Sequence, residues 1–241
     1  LIQALNNNII TKSLRPLLEA LATQCFLNEY VYWQSEEEKK WKENLIEKAR
    51  KSKAAFNQYL PVIGCYIPIH YIINGEDELD KYPITSDESR AFIDTQYKEV
   101  QEEKATKTLL RSSEKIFDTV SLAVQKMYEE NPYPRYQHAD HTSSHFAKPP
   151  IEFISLETTI KNLPFTNELS SPKSSQKILI AGCGTGNQII NASRYRNAQI
   201  TAIDISKNSL AYAARKSQEY KMQNVQLKQL DILNTNQLQD V

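Results

Sequence analysis

The sequence predicts an α/β chain: a helical N-terminal region followed by the first half, three parallel strands, of a doubly wound sheet. Three observations predict it. Three of the five glycines fall within five residues, in Lys177-Ile-Leu-Ile-Ala-Gly-Cys-Gly-Thr-Gly-Asn-Gln188, after a branched apolar run and before a helical pattern. Two further strand-like runs each end in a carboxylate, Asp204 and Asp231. Upstream, apolar residues recur at helical spacing.

The elements follow in order. A helix is expected over 14–33, with Leu17, Leu18, Leu21, Cys25, Phe26 and Tyr30 at helical spacing. Ser35 with Glu38 forms a capping box that opens a second helix over 36–60, ended by Pro61. Pro61–Ile73 is apolar and reads as a buried connection or short helix, with His70 in or near the helical core. Residues 74–86 are turn-rich. A charged helix is expected over 87–111 and another over 114–130. The domain reading is a helical region over 1–112, a helix with its following segment over 113–137, a loop or linker over 138–174, and a core over 175–241.

In that core, Gly182, Gly184 and Gly186 sit where strand gives way to helix, so the backbone can approach a nucleotide closely. A dinucleotide fingerprint G-x-G-x-x-G would need glycine at 187, where the chain has Asn187. The observed G-x-G-x-G suits S-adenosylmethionine, which has no pyrophosphate to seat. Gln199–Asp204 reads as the second strand. Its Asp204 lies about 20 residues past the glycines, the distance at which a β-α-β unit returns a carboxylate to a ribose diol. Ser206–Met222 reads as a helix capped by Ser206, with Leu210, Ala213 and Ala214 on its apolar face. Asn224–Leu233 alternates as a third strand and carries Asp231, placed to accept from an adenine amino group.

Gly-Cys-Gly-Thr-Gly, Asp204 and Asp231-Ile-Leu resemble three successive motifs of class I S-adenosylmethionine-dependent methyltransferases, whose fold is Rossmann-like. The resemblance implies that Gly182, Cys183, Gly184 and Gly186 underlie the methionine and ribose portion of the cofactor. It implies that Asp204 holds the ribose hydroxyls, that Ile205 and Ile232 pack on adenine, and that Asp231 contacts its amino group. Where many members carry an acidic residue two positions before the first glycine, this chain has Ile180. Upstream, Glu130-Asn-Pro-Tyr-Pro-Arg-Tyr136 resembles the E-N-P-Y-P-R signature of a bacterial group related to rickettsial outer-membrane-protein lysine methyltransferases. That resemblance implies a protein substrate modified on lysine.

Pro132 and Pro134 should end the preceding helix and extend the chain, setting Tyr133 and Tyr136 on one side. Arg135 offers a planar donor fork to the cofactor's methionine carboxylate or to a substrate carboxylate. Packing of these tyrosines against the core is the alternative. The N-P-P-Y tetrad of adenine methyltransferases is a poor comparison, because it follows the fourth strand and this segment precedes the first.

The chain of 241 residues has 29 basic and 29 acidic side chains, so its net charge argues for neither nucleic acid nor a membrane surface. It has no apolar run long enough to span a bilayer. Cys25, Cys65 and Cys183 are odd in number and widely spaced, which suits a reducing, cytoplasmic compartment rather than a disulfide framework. His138, Asp140, His141 and His145 have spacing compatible with a metal but no pattern to fix their geometry, so no metal is expected. The chain reaches Val241 shortly after the third strand, so a fragment is expected, with the rest of the domain in another segment and the first strand an open edge. Catalytic residues are not identifiable. The competing readings are a nicotinamide-dependent oxidoreductase and a non-catalytic, partner-binding scaffold.

Overall fold

The computed structural model describes residues 14–73, 75, 79, 82–110, 116, 118–157 and 175–238. It divides into two compact units, Leu1–Glu102 and Glu103–Val241.

In the first unit, α1 (Arg15–Leu27) buries Leu18, Ala22, Cys25 and Phe26 at helical spacing. It stops short of residue 33 because Glu29 and Tyr30 adopt positive φ, 51° and 53°, and turn the chain away. Leu17 and Leu21, expected on the apolar face, are exposed. The second helix, α2 (Glu36–Ala49), opens on the expected capping box: Ser35 N donates to Glu38 Oε2 at 2.9 Å and Glu38 N donates to Ser35 Oγ at 3.2 Å.

The single helix expected over 36–60 is two helices. Ser52 is extended and caps α3 (Lys53–Gly64), accepting from Ala55 N at 3.1 Å. Pro61 lies inside α3 rather than ending it. A proline this near the C-terminal end forfeits one ladder bond, and its ring is buried beside Leu60, Val62 and Ile63. Beyond it, Ile69, Ile72 and Ile73 bury the connection around a 3₁₀ turn, Ile69–Tyr71.

The charged helix runs as α4 (Asp87–Ile93), a π-helical turn (Asp94–Lys98) and α5 (Glu99–Leu109). The π turn carries Gln96, which is fully buried yet well partnered. Its Nε2 donates to Ala22 O at 2.7 Å and Gly64 O at 3.1 Å, and its Oε1 accepts from Ile69 N at 3.2 Å. His70, as expected, packs beside this network with Nδ1 3.3 Å from Gln96 O.

The second unit begins within α5, at Glu103, whose carboxylate pairs with Arg135 and Arg215 of the same unit. Next, α6 (Thr119–Glu130) is capped by Asp118, which accepts from Ser121 N at 2.8 Å. The segment expected to be a linker contains α7 (Pro150–Glu157). It is anchored because Lys148 exchanges backbone hydrogen bonds with Arg194 and Arg196, each 2.9 Å, and Phe153 stands edge-on to Tyr195.

The core then runs β1 (Gln176–Ala181), α8 (Asn187–Asn191), β2 (Ala198–Asp204), α9 (Lys207–Glu219) and β3 (Val225–Gln229). The strands are parallel in the order β1-β2-β3, with Ile178 opposite Ile200 and Ile200 opposite Val225. Ile180, Ile200 and Ala202 pack against Ile189 of α8 and Leu210 and Ala213 of α9. β3 is shorter than expected: it ends at Gln229, and Asp231 instead caps a 3₁₀ turn, accepting from Leu233 N at 3.0 Å. Helices N-terminal to three parallel strands make the first half of a Rossmann-like fold, as the sequence predicts. Among the described residues no helix is long and apolar enough to cross a membrane.

Candidate functional site

The site grows from the turn after β1. Gly182 N and Cys183 N both donate to Ile203 O at 2.9 Å, which holds the turn on the end of β2. Gly182 has φ 70° and open space where a Cβ would point, on the side that lines a cavity. Gly186, at φ 90°, is fixed by packing as well: a Cβ there would stand 2.7 Å from Ala213 Cβ and 3.1 Å from Ala213 Cα on α9. Gly186→Ala is therefore expected to cost roughly 2–3 kcal/mol, adding left-handed strain to overpacking. Chemical denaturation measures it, and an unchanged midpoint would contradict the assigned contact.

Two carboxylates stand at the strand ends. Asp204 is buried and accepts from Gly184 N at 2.8 Å and from Ser206 N at 2.9 Å, so it joins the glycine turn to the start of α9. Burial pushes its carboxyl above the ordinary carboxylate range, against the pull of those backbone donors. Cys183 lies beneath the turn; burial, and then the neighbouring Asp204, push its thiol well up, so it is not a nucleophile. Asp231 is 4% exposed.

Around these groups lies a cleft of about 820 Å³, within the range of small-molecule sites. The structure brings Gly182, Cys183, Gly184, Asp204, Ile205, Asp231, Ile232 and Tyr133 to its lining. Gly186 is not on the lining; it fixes the packing behind the turn. The wall that sequence reasoning missed is α6, which contributes Ser121, Val124 and Tyr128. Gln125 Nε2 donates to Ile205 O at 3.1 Å and Ser206 Oγ donates to Tyr128 O at 3.0 Å, so this wall is bolted to the carboxylate strand. The signal was present: Val120, Val124 and Tyr128 recur every fourth residue.

The aromatic segment divides. Tyr133 and Pro134 line the cleft, and Arg135 and Tyr136 are not among its described lining residues. Their partners lie on α5 and α9. Arg135 Nη1 lies 3.4 Å from Glu103 Oε2, and Arg215 Nε lies 3.0 Å from Glu103 Oε1. The Tyr212 hydroxyl accepts from Tyr136 N at 2.9 Å and donates to Tyr136 O at 2.7 Å. Tyr136 OH donates to Thr185 O at 3.2 Å, and Thr185 Oγ1 donates to Pro134 O at 2.6 Å. Burial pushes the Tyr212 phenol up to about 12 and keeps it neutral for this double role. Arg135 and Tyr136 thus clamp the segment that carries Tyr133 onto the glycine turn.

The electrostatics of the cleft are one-sided. Asp118, Asp204 and Asp231 border it, and among the described residues no Lys, Arg or His lines it. His141 stacks on Tyr220, ring centroids 5.6 Å apart, away from the cleft. Among the described residues no three His, Cys, Asp or Glu side chains gather as a metal site.

Comparison with known proteins agrees with this geometry. Residues 172–241 match the family model described as a methyltransferase domain, which supports a class I methyltransferase. An uncharacterized protein of Rickettsia prowazekii (strain Madrid E) is 33% identical over 108 residues, 44% of this chain and 38% of that relative. The chain therefore spans well under half of the relative's length.

Proposed function

We propose that the second unit binds S-adenosylmethionine and serves a methyltransferase acting on protein lysine side chains, in the cytoplasm. The observation that carries this reading is one cleft bordered by the open face of Gly182 and by carboxylates at the ends of two adjacent strands. When bound, the cofactor would supply an electrophilic methyl on a cationic sulfonium. A cleft with three carboxylates and no cation among its described lining residues suits that positive charge better than the pyrophosphate of a nicotinamide dinucleotide. Asp204 would accept from the ribose hydroxyls. An ionised carboxylate has about four lone-pair sites, so two backbone donors leave capacity for two more. Ile205 and Ile232 would hold the adenine ring, and Asp231 would accept from its amino group. Tyr133 and Tyr128, on the facing wall, would exclude water from the reacting end. Lysine as acceptor, and an outer-membrane protein as its bearer, rest on the resemblance of the Glu130–Tyr136 segment. Tritiated S-adenosylmethionine incubated with this chain and outer-membrane protein should label lysine. Label on another residue type would overturn the acceptor assignment, and binding without any label would overturn catalysis by this chain.

The Asp204 carboxyl predicts a pH signature. Ligand hydroxyls need the ionised form, and burial raises its pKa. Binding should therefore begin to weaken on acidification above the ordinary carboxylate value of about 4. Stability of the free protein has the opposite sign. The raised pKa favours the protonated folded form, so its contribution is complete below the unfolded value and is lost as pH rises through the folded one. Titrations at several pH values check this; binding that holds until the ordinary range would contradict it.

A further inference from the structure

A second cleft lies at the other end of the sheet from the first. Ala198, which opens β2, and Asn224, which precedes β3, are on its lining, whereas Asp204 at the far end of β2 borders the first cleft. β2 has seven residues, so the two clefts stand about 20 Å apart. The second has a volume of about 640 Å³, within the range of small-molecule sites. Three chain segments are stitched together to form it. Thr142 N donates to Ser193 Oγ at 2.8 Å and Arg196 Nε donates to Ala147 O at 2.9 Å, joining the segment 139–148 to the turn before β2. Ala139 N donates to the Tyr220 hydroxyl at 2.8 Å, joining the same segment to the end of α9. Asn224 Nδ2 donates to Ala198 O at 2.8 Å and closes the floor. The lining is opposite in sign to that of the first cleft: Arg196, Lys221 and His141 are on it, and among the described residues no Asp or Glu is. Ser143 and Ser144 add hydroxyls, and the His141 ring lies on the Tyr220 ring with centroids 5.6 Å apart. Lys221 holds φ at 56°, where glycine is the easier residue, so the backbone gives no reason for a lysine there.

We propose that this second cleft binds a small phosphate monoester carrying a planar ring, of the mononucleotide type. A phosphate monoester has a charge of about −1.5 to −2 near neutral pH, which the Arg196 guanidinium and the Lys221 ammonium together balance. Its three terminal oxygens accept from these two cations and from the Ser143 and Ser144 hydroxyls. Arg196 uses Nε to hold Ala147 O, which leaves its two terminal nitrogens as a fork for the phosphate. A carboxylate, with two oxygens and a single charge, would leave part of this donor set unused. A free phosphate ion would fill only a small part of the volume, and the rest holds the ring against the His141–Tyr220 pair. The cleft of opposite sign beyond β2 is left to the cationic sulfonium.

The test is calorimetric titration of the full chain with the 5′-monophosphates of uridine, cytidine and guanosine; adenosine is left out because the first cleft would compete for it. At least one should bind one-to-one, and its nucleoside and inorganic phosphate should each bind about tenfold more weakly or worse. Added salt should weaken the binding, and excess S-adenosylhomocysteine should leave it unchanged. Lys221→Gly should weaken it about tenfold with the thermal midpoint kept, because glycine takes the same backbone without strain. Arg196→Gln should weaken it to a similar degree. A lysine that only offsets the negative C-terminal end of α9 would move the midpoint and leave the affinity alone, which would overturn the proposal. Binding by none of the monophosphates, equal binding of nucleoside or inorganic phosphate, or displacement by S-adenosylhomocysteine would each overturn it as well.

Discussion

Glu103→Ala is expected to destabilise the second unit by roughly 3–5 kcal/mol, the cost of removing one partner from a buried ion pair. Glu103 is 8% exposed, and its two oxygens face Arg135 and Arg215, whose side chains are 9% and 7% exposed. Both guanidiniums also lie over the Tyr212 ring, 5.4 Å and 4.8 Å from its centroid. Deleting the carboxylate leaves two buried like charges on one ring, with the cation–π attraction too small to offset their mutual repulsion. Glu103→Gln should recover part of the loss, because an amide oxygen still accepts. Urea denaturation reads the effect as a drop in midpoint of roughly 1 M or more. An unchanged midpoint would mean that the clamp on the Tyr133 segment does not depend on this charge.

Asp204→Ala is expected to weaken adenosyl-ligand binding about a hundredfold. Two hydroxyl hydrogen bonds to a charged acceptor contribute roughly 1.5 kcal/mol each, and tenfold in affinity is about 1.4 kcal/mol. The substitution also frees Gly184 N and Ser206 N from their shared acceptor, so the glycine turn loses its link to α9. Asp204→Asn separates the two effects: its amide oxygen can hold one backbone donor while the charge is lost. Calorimetry should therefore find weakened binding in both variants, with thermal stability better kept in the asparagine form. Affinity within threefold of the unsubstituted chain would remove Asp204 from the ligand's contacts.

Much of the core was legible because its signals are local. The glycine turn, the cap at Ser206 and the carboxylates at 204 and 231 all lie within short spacings where strand, turn and helix constrain one another. Ser35 with Glu38 was legible for the same reason. The partners of Arg135 and Tyr136 were not legible, because Glu103 and Tyr212 lie 32 and 76 residues away. A lone arginine beside tyrosines looks the same in sequence whether it meets a ligand or a buried carboxylate. Glu103 itself sits in a run of charges that reads as a solvated face. The break at Ser52 was overlooked although Ser is a strong cap, because apolar periodicity continues across it. Pro61 inside α3 shows the converse, tertiary burial overriding a local breaker.

The cleft is expected to receive an adenosyl sulfonium or its thioether product. Calorimetric titration of the chain with S-adenosylhomocysteine, with NADH as control, tests it most directly. Saturable one-to-one binding of S-adenosylhomocysteine and no heat with NADH are expected. Binding of NADH in preference, or no binding of S-adenosylhomocysteine by a chain that circular dichroism shows to be folded, would contradict it.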